Sequence, residues 1–428
     1  MKNSNKYKSV AHDIQALGAV ILNQLVEETS HALKKLESAL GQDVSGYVAN
    51  RLHLSMEELS NALAAEQVDG VALAMYNIEK RGQSVIIGDQ TGIGKGRQAA
   101  AMIRYGLLSG YLPIFFTDRY TLFSDMYRDC KALGIKDAKP LIINNGTSVV
   151  DFDQSVEEDY DDSVDEIWSH YNLEDDIKNE DNIFKQYKKQ YKIVYKAPQR
   201  KVLLDIFNSG DIPNDYDYLM ITYSQLKDSK RDMTRLNFLH SLCTHRRVLF
   251  VFDEAHRSSS VSFGNVSVIT EGINKILSDT PGSQCVFLSA TFAKRPENFI
   301  TFMRRTALSA LATETTLEKA LHNGGVPMQE YVSSSLAAFG QMIRREHSNE
   351  NIPSPTYTYL DDDIQLHSEL FDRVMYYFRE IVKLSDMVSV IAKMGMALGA
   401  LDKFKCYPTR AQLFYINKVV LLSLKAGH

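Results

Sequence analysis

Val248, Leu249, Phe250, Val251 and Phe252 run without a break into Asp253-Glu254-Ala255-His256. Five consecutive apolar residues ending in two carboxylates describe a strand buried on both faces, with its acids at the C-terminal end. Such strands belong to parallel sheets covered by helices, and in open α/β sheets ligands bind at that end of the strands. In this reading Asp253 holds Mg²⁺, and Glu254 orients and deprotonates a water that attacks a γ-phosphate.

A loop suited to phosphates lies upstream. Ser84-Val85-Ile86-Ile87 reads as a short strand, and residues 98–105 read as a helix. Between them stand Gly88, Asp89, Gln90, Thr91, Gly92, Ile93, Gly94, Lys95, Gly96 and Arg97. Strand, Gly-rich loop, Lys and helix form the context in which backbone N–H groups, a helix dipole and a lysine charge converge on phosphates. Residues 89–97 are therefore the expected nucleotide contacts, with ATP and Mg²⁺ as the ligands. Two positions depart from the usual pattern. Asp89 replaces its first Gly, and Gly96 replaces the Ser or Thr that normally binds Mg²⁺.

Further pieces follow in order. Thr222-Tyr223-Ser224-Gln225-Leu226 succeeds the apolar run Tyr218–Ile221, and its hydroxyls suit either a nucleic-acid backbone or a strand-to-helix cap. Ser289-Ala290-Thr291 ends the run Cys285–Leu288. Gln67 lies upstream of the loop; its amide could read an adenine edge, or it could be an ordinary helix-surface glutamine.

With the loop of residues 88–97, the Asp-Glu-Ala-His box and Ser-Ala-Thr, the chain resembles the Strawberry notch group of superfamily 2 helicase-like ATPases, including its phage and bacterial members. That group also carries Lys-Gly-Arg at the position of Lys95-Gly96-Arg97. Residues 324–330 and 341–346 resemble segments that the group places after Ser-Ala-Thr. The likeness implies an adenine-reading role for Gln67 and a coupling role for His256, Ser289 and Thr291. It also implies nucleic acid, DNA before RNA, as partner. Thr117, Arg119, Thr222 and Ser224 at the strand ends are the expected backbone contacts.

Charge is consistent with this once it is located. The overall −5 conceals fourteen acids against one Lys in residues 151–181, a net −13, which leaves +8 elsewhere. The acidic stretch reads as an insertion over about 151–200, either a solvated surface element or a flap that screens a basic face. No run of membrane-spanning length occurs, and Met1-Lys2-Asn3-Ser4-Asn5 has no signal-peptide character, so a bacterial or phage-infected cytoplasm is expected. Cys130, Cys243, Cys285 and Cys406 fit no metal spacing.

The expected architecture is α/β: a RecA-like P-loop domain with a parallel sheet, a helical N-terminal preface and a helical C-terminal extension. The preface covers 1–80, with helical spacing over 9–41 and a capping box at Ser55 and Glu58. The ATPase lobe covers 81–300, with strands at 84–87, 112–117, 141–144, 217–222, 248–253 and 284–289. The extension covers 301–428. No second set of βα units follows residue 300, so a second lobe is expected from a longer chain or from a partner. Three functions fit: the first motor lobe of a nucleic-acid translocase or remodeller, a nucleotide-gated protein-interaction module, and an NTPase acting on protein. His256 favours the first.

Overall fold

The computed structural model describes residues 4–155, 191–226, 234–259, 261–262, 265–291 and 298–348, with isolated positions between 369 and 383. The centre of the acidic stretch, the polar break at 349–355 and the amphipathic run 412–421 lie outside the described residues. By packing, residues 1–160 and 180–351 form one unit and the remaining residues a second. In the second, the described residues include an exposed Lys383–Glu380 ion pair at 2.6 Å.

The first unit is built on a seven-stranded, all-parallel sheet. Its strands are β1 (Ile86–Ile87), β2 (Leu112–Thr117), β3 (Pro140–Ile142), β4 (Tyr218–Thr222), β5 (Val248–Phe252), β6 (Gln284–Leu288) and β7 (Met342–Ile343). They lie in the order β7-β1-β6-β5-β2-β4-β3. The six strands expected from sequence are all present, with bounds shifted by up to two residues. The seventh falls in the region expected to be helical, and it extends the sheet beyond β1.

Alternation along the buried strands divides two cores. Leu249 and Val251 of β5 face one cluster, while Val248, Phe250 and Phe252 face the other. A strand apolar on both sides needs cover on both sides, and helices supply it. On the second face Phe252 stacks on Phe287 at 5.3 Å between centroids, and Phe287 meets Phe302 edge-on at 4.9 Å. Such aromatic pairs contribute roughly 0.5–1.5 kcal/mol each beyond the area they bury.

The first face is covered by the N-terminal helices: α1 (Val26–Leu40), α2 (Val44–Leu52), α3 (Met56–Ala62), α4 (Ala65–Arg81), α5 (Lys95–Leu108) and α6 (Leu122–Ala132). The capping box that opens α3 is formed, with Ser55 Oγ accepting from Glu58 N at 3.1 Å and Glu58 Oε2 accepting from Ser55 N at 2.8 Å. Residues 9–22 depart from the helical expectation. The buried Glu66 carboxylate accepts the backbone N–H groups of Leu17, Gly18 and Ala19, and Val20–Leu22 forms a strand instead. A carboxylate that takes three consecutive N–H groups removes the donors a helix would have used. Packing is continuous across residues 80 and 300.

The acidic stretch interrupts a hairpin, since Ser148–Ser155 pairs antiparallel with Tyr191–Lys196. Beyond the sheet, Glu314–Ala338 is two helices merged across a kink at Gly325, whose φ of 57° is followed two residues later by Pro327. No helix among the described residues is long and apolar enough to cross a membrane.

Candidate active site

Register sets the strand ends flush. Phe116 lies opposite Phe252, Thr117 opposite Thr222, Phe287 opposite Phe252, and Leu288 opposite Ile87. The loop after β1, the acids after β5 and Ser289 after β6 therefore emerge along one edge.

The loop turns sharply into α5. Lys95 opens α5 after Gly94, whose φ is 90°. A Cβ on Gly94 would collide with the Gln67 amide, so glycine is required for both conformation and space. Lys95 is buried, and its Nζ donates to the Asp89 carbonyl at 3.0 Å. Gln90, Thr91 and Gly92 are exposed at the loop tip, whereas Ile93 is buried. Gln67 occupies the third position of α4. Its Oε1 accepts from Ala64 N at 3.0 Å, and its Nε2 donates to the Ile93 carbonyl at 2.8 Å. The amide thus spans the α4 N-terminus and the loop.

Asp89 turns its side chain into the protein and is fully buried. Arg345, just past β7, grips it with Nε at 2.9 Å and Nη2 at 2.6 Å. Gln98 Nε2 adds a bond at 3.0 Å, and the Arg345 backbone N–H another at 3.1 Å. Arg345 also donates to the Glu66 carbonyl and lies 5.1 Å from the Tyr7 ring centre. The backbone repeats the connection, because Gly88 N donates to Ile343 O and Gln90 N to Arg345 O. His347 completes the cover, with Nε2 3.1 Å from the Thr91 carbonyl oxygen.

Asp253 and Glu254 face the loop across the strand ends. Burial, above all, raises the Asp253 carboxyl to about 6, opposed by the hydroxyl of Thr117, which donates to Oδ2 at 2.9 Å. Tyr223 donates to the Asp253 carbonyl at 2.8 Å, which fixes the backbone where β5 ends. Glu254 adopts left-handed φ and ψ of 47° each, a strained conformation for a residue with a side chain. Its carboxyl is held below the usual range, chiefly by its contact with His256 and then by the charge of Lys95. His256 Nδ1 lies 3.2 Å from Glu254 Oε2 and 3.1 Å from Ser289 Oγ, and Ser289 Oγ accepts from Thr291 N at 3.3 Å. The lysine charge reaches both acids.

The remaining expected residues divide. Thr117 was expected to face nucleic acid, but it is fully buried and turned to Asp253, because its side chain alternates onto the acid's side at the strand end. Thr222 is likewise buried, clasped by Asn144 through its hydroxyl at 2.7 Å and its N–H at 3.1 Å. Ser224 is exposed and lies 2.8 Å from the Thr222 hydroxyl, while Arg119 is exposed beyond β2. Arg97 points away from the loop, donating to Asp129 at 3.0 Å and to the Ala62 carbonyl at 3.1 Å. Sequence reasoning gave no role to Arg345, Tyr223, Asn144 or Asp129. Arg345 lay in a segment noted only for its likeness, and Tyr223 stood inside a motif read for its hydroxyl neighbours.

A family model described as P-loop containing NTP hydrolase pore-1 matches residues 22–363. No curated protein matches the chain. Among solved structures, the Sulfolobus solfataricus SWI2/SNF2 ATPase core domain is similar at 11% identity and a TM-score of 0.39. That match covers 86% of this chain and 64% of that one.

Proposed function

Because the chain belongs to the P-loop containing NTP hydrolase pore-1 family, we propose that it binds and hydrolyses ATP with Mg²⁺ as the first motor lobe of a helicase-like nucleic-acid translocase or remodeller. The observation that carries this reading is the convergence of Lys95, Asp253 and Glu254 at one sheet edge, with the lysine charge acting on both acids.

The donors fit the ion. A buried carboxyl raised to about 6 is one whose ionised form a cation stabilises. Mg²⁺, when bound, neutralises charge on the transferring phosphoryl group. Asp253 would hold it, while Lys95 and the N–H groups at the start of α5 bind phosphate oxygens. To do so, Lys95 exchanges its bond to the Asp89 carbonyl for one to phosphate. Glu254 is kept ionised by His256 and Lys95, so it can accept a proton from an attacking water. His256 then connects that carboxylate to Ser289, a contact through which a change at the Ser-Ala-Thr segment reaches the nucleotide.

The finer likeness to the Strawberry notch group rests on Lys95-Gly96-Arg97, and nucleic acid as partner rests on that likeness and on the +8 outside residues 151–181. Exposed Ser224 and Arg119 are the proposed backbone contacts. ATP turnover by the 428-residue chain, measured with and without DNA or RNA, tests the proposal. Stimulation by nucleic acid supports a translocase. ATP binding that nucleic acid leaves unchanged, and that alters only partner-protein binding, favours the nucleotide-gated interaction module instead.

A further inference from the structure

The charge of Arg345 acts on two buried acids, Asp89 and Asp69. Asp89 of the phosphate loop holds the guanidinium fork, through Nε at 2.9 Å and Nη2 at 2.6 Å. Asp69, in the second turn of α4, has no exposed surface. Its Oδ2 accepts from the Tyr7 hydroxyl at 2.7 Å, while its Oδ1 is buried without a hydrogen-bond partner among the described residues. Ser9, close by, donates its hydroxyl to the Ala65 carbonyl at 3.3 Å instead. The Tyr7 ring lies 5.1 Å from the Arg345 guanidinium carbon, so one side chain touches both the spare acid and the shared cation. Burial, above all, raises the Asp69 carboxyl to about 6, opposed by the Ser9 and Tyr7 hydroxyls and by the Arg345 charge. Above that pH the cluster carries two buried negative charges against one positive. A buried carboxylate short of donors draws on the cation that acts on it.

We propose that Tyr7 is a positioning residue for the nucleotide site: its hydroxyl occupies Asp69 and so leaves the Arg345 fork to Asp89. The inference rests on the nucleotide reading above. Without that hydroxyl, ionised Asp69 competes for Arg345. Asp89 then loses the side chain that ties the loop to the segment after β7, and Lys95, bonded to the Asp89 carbonyl, loses its placement. The ionisable groups facing Asp69 are Tyr7 from the N-terminal segment and Arg345 from the segment after β7, with Asp89 on the same arginine. Burial pushes the Tyr7 hydroxyl well above its ordinary range, so Tyr7 stays protonated and Asp69 is the group that titrates. The sign follows. At acid pH Asp69 is neutral and leaves Arg345 alone, whether or not Tyr7 carries its hydroxyl. At alkaline pH the hydroxyl is needed.

The test is calorimetric titration of the full chain with Mg-ATP at pH 5 and pH 8, on either side of the Asp69 titration. Tyr7→Phe keeps the ring and removes the hydroxyl. It is expected to bind about tenfold more weakly than wild type at pH 8, the effect of a lost hydrogen bond to a charged group, and as tightly as wild type at pH 5. Comparing variant with wild type at each pH cancels the Asp253 titration, which both proteins share. Adding Asp69→Asn to Tyr7→Phe is expected to restore wild-type affinity at pH 8. A ratio that stays constant between the two pH values, or that grows toward pH 5, would overturn the proposal, because a tyrosine that merely packs does not sense the Asp69 charge. So would a loss at pH 8 that the double variant keeps. If Tyr7→Phe fails to fold, Asp69→Asn and the double variant decide: equal affinities support the assignment, and a weaker double variant overturns it. Wild type that binds no Mg-ATP at either pH removes the nucleotide reading itself, an outcome distinct from wild-type binding with a constant ratio.

Discussion

Arg345 Nη2 lies 2.6 Å from Asp89 Oδ2, and both side chains have no exposed surface. The pair joins the phosphate loop to the second residue after β7, across 256 positions of sequence. This gives the unusual aspartate of the loop a physical reason. A glycine at position 89 would leave the Arg345 guanidinium buried without its partner.

Breaking that pair should cost far more than removing it whole. Arg345→Ala leaves the Asp89 charge uncompensated, and losses of about 3–5 kcal/mol are typical of such sites. Asp89→Asn with Arg345→Met is expected to lose much less. Denaturant midpoints of the two variants check this. A double variant no more stable than Arg345→Ala would show that the ion pair is not what anchors the loop.

Lys95→Ala is expected to weaken ATP binding at least about tenfold, or roughly 1.4 kcal/mol. The lysine is buried and bonded to the Asp89 carbonyl, so the variant should also be melted without nucleotide. Unchanged affinity in a calorimetric titration removes Lys95 from the site.

Asp253 sets a pH dependence whose sign differs between the free and bound states. Its folded value of about 6 exceeds that of an unfolded aspartate, so its contribution to stability is fully present below roughly pH 4 and is lost as pH rises through 6. Holding Mg²⁺ needs the ionised form. Lowering the pH from 7 to 5 should therefore weaken Mg-ATP binding while this group stabilises the nucleotide-free protein. Asp253→Asn should flatten both trends, measured by titration and by melting at pH 7, 6 and 5. Parallel slopes for wild type and variant would assign the titration elsewhere.

Thr117→Val removes the hydroxyl that donates to Asp253 Oδ2. That donation holds the carboxyl down, so its loss should move the midpoint of Mg-ATP binding to higher pH. A midpoint that stays in place, or moves down, would mean that Thr117 does not tune the acid.

The strands that carry the chemistry were readable because a buried parallel strand announces itself as an apolar run, as Val248–Phe252 does. That Lys95, Asp253, Glu254 and His256 come together was readable for the same reason, since each follows the C-terminal end of such a run. Met342–Ile343 escaped, because two residues carry no period. Arg345 escaped for a related reason: its partner is fixed by the fold alone, and local spacing holds no trace of Asp89. Thr117 was placed on the surface because its position at a strand end is visible in the sequence, whereas the face it points to depends on register with β5. Residues 9–19 read as helical until Glu66, a residue of another element, captured their N–H groups.

Residues 88–97 are proposed to bind ATP, and Glu254 to activate the water that cleaves it. Glu254→Gln keeps the size of the side chain and removes its basicity, so ATP affinity and turnover measured on the same preparation separate the two roles. Wild-type affinity for Mg-ATP with turnover lost, whether basal or stimulated by nucleic acid, is the expected result. Turnover retained at the wild-type rate by Glu254→Gln would contradict it.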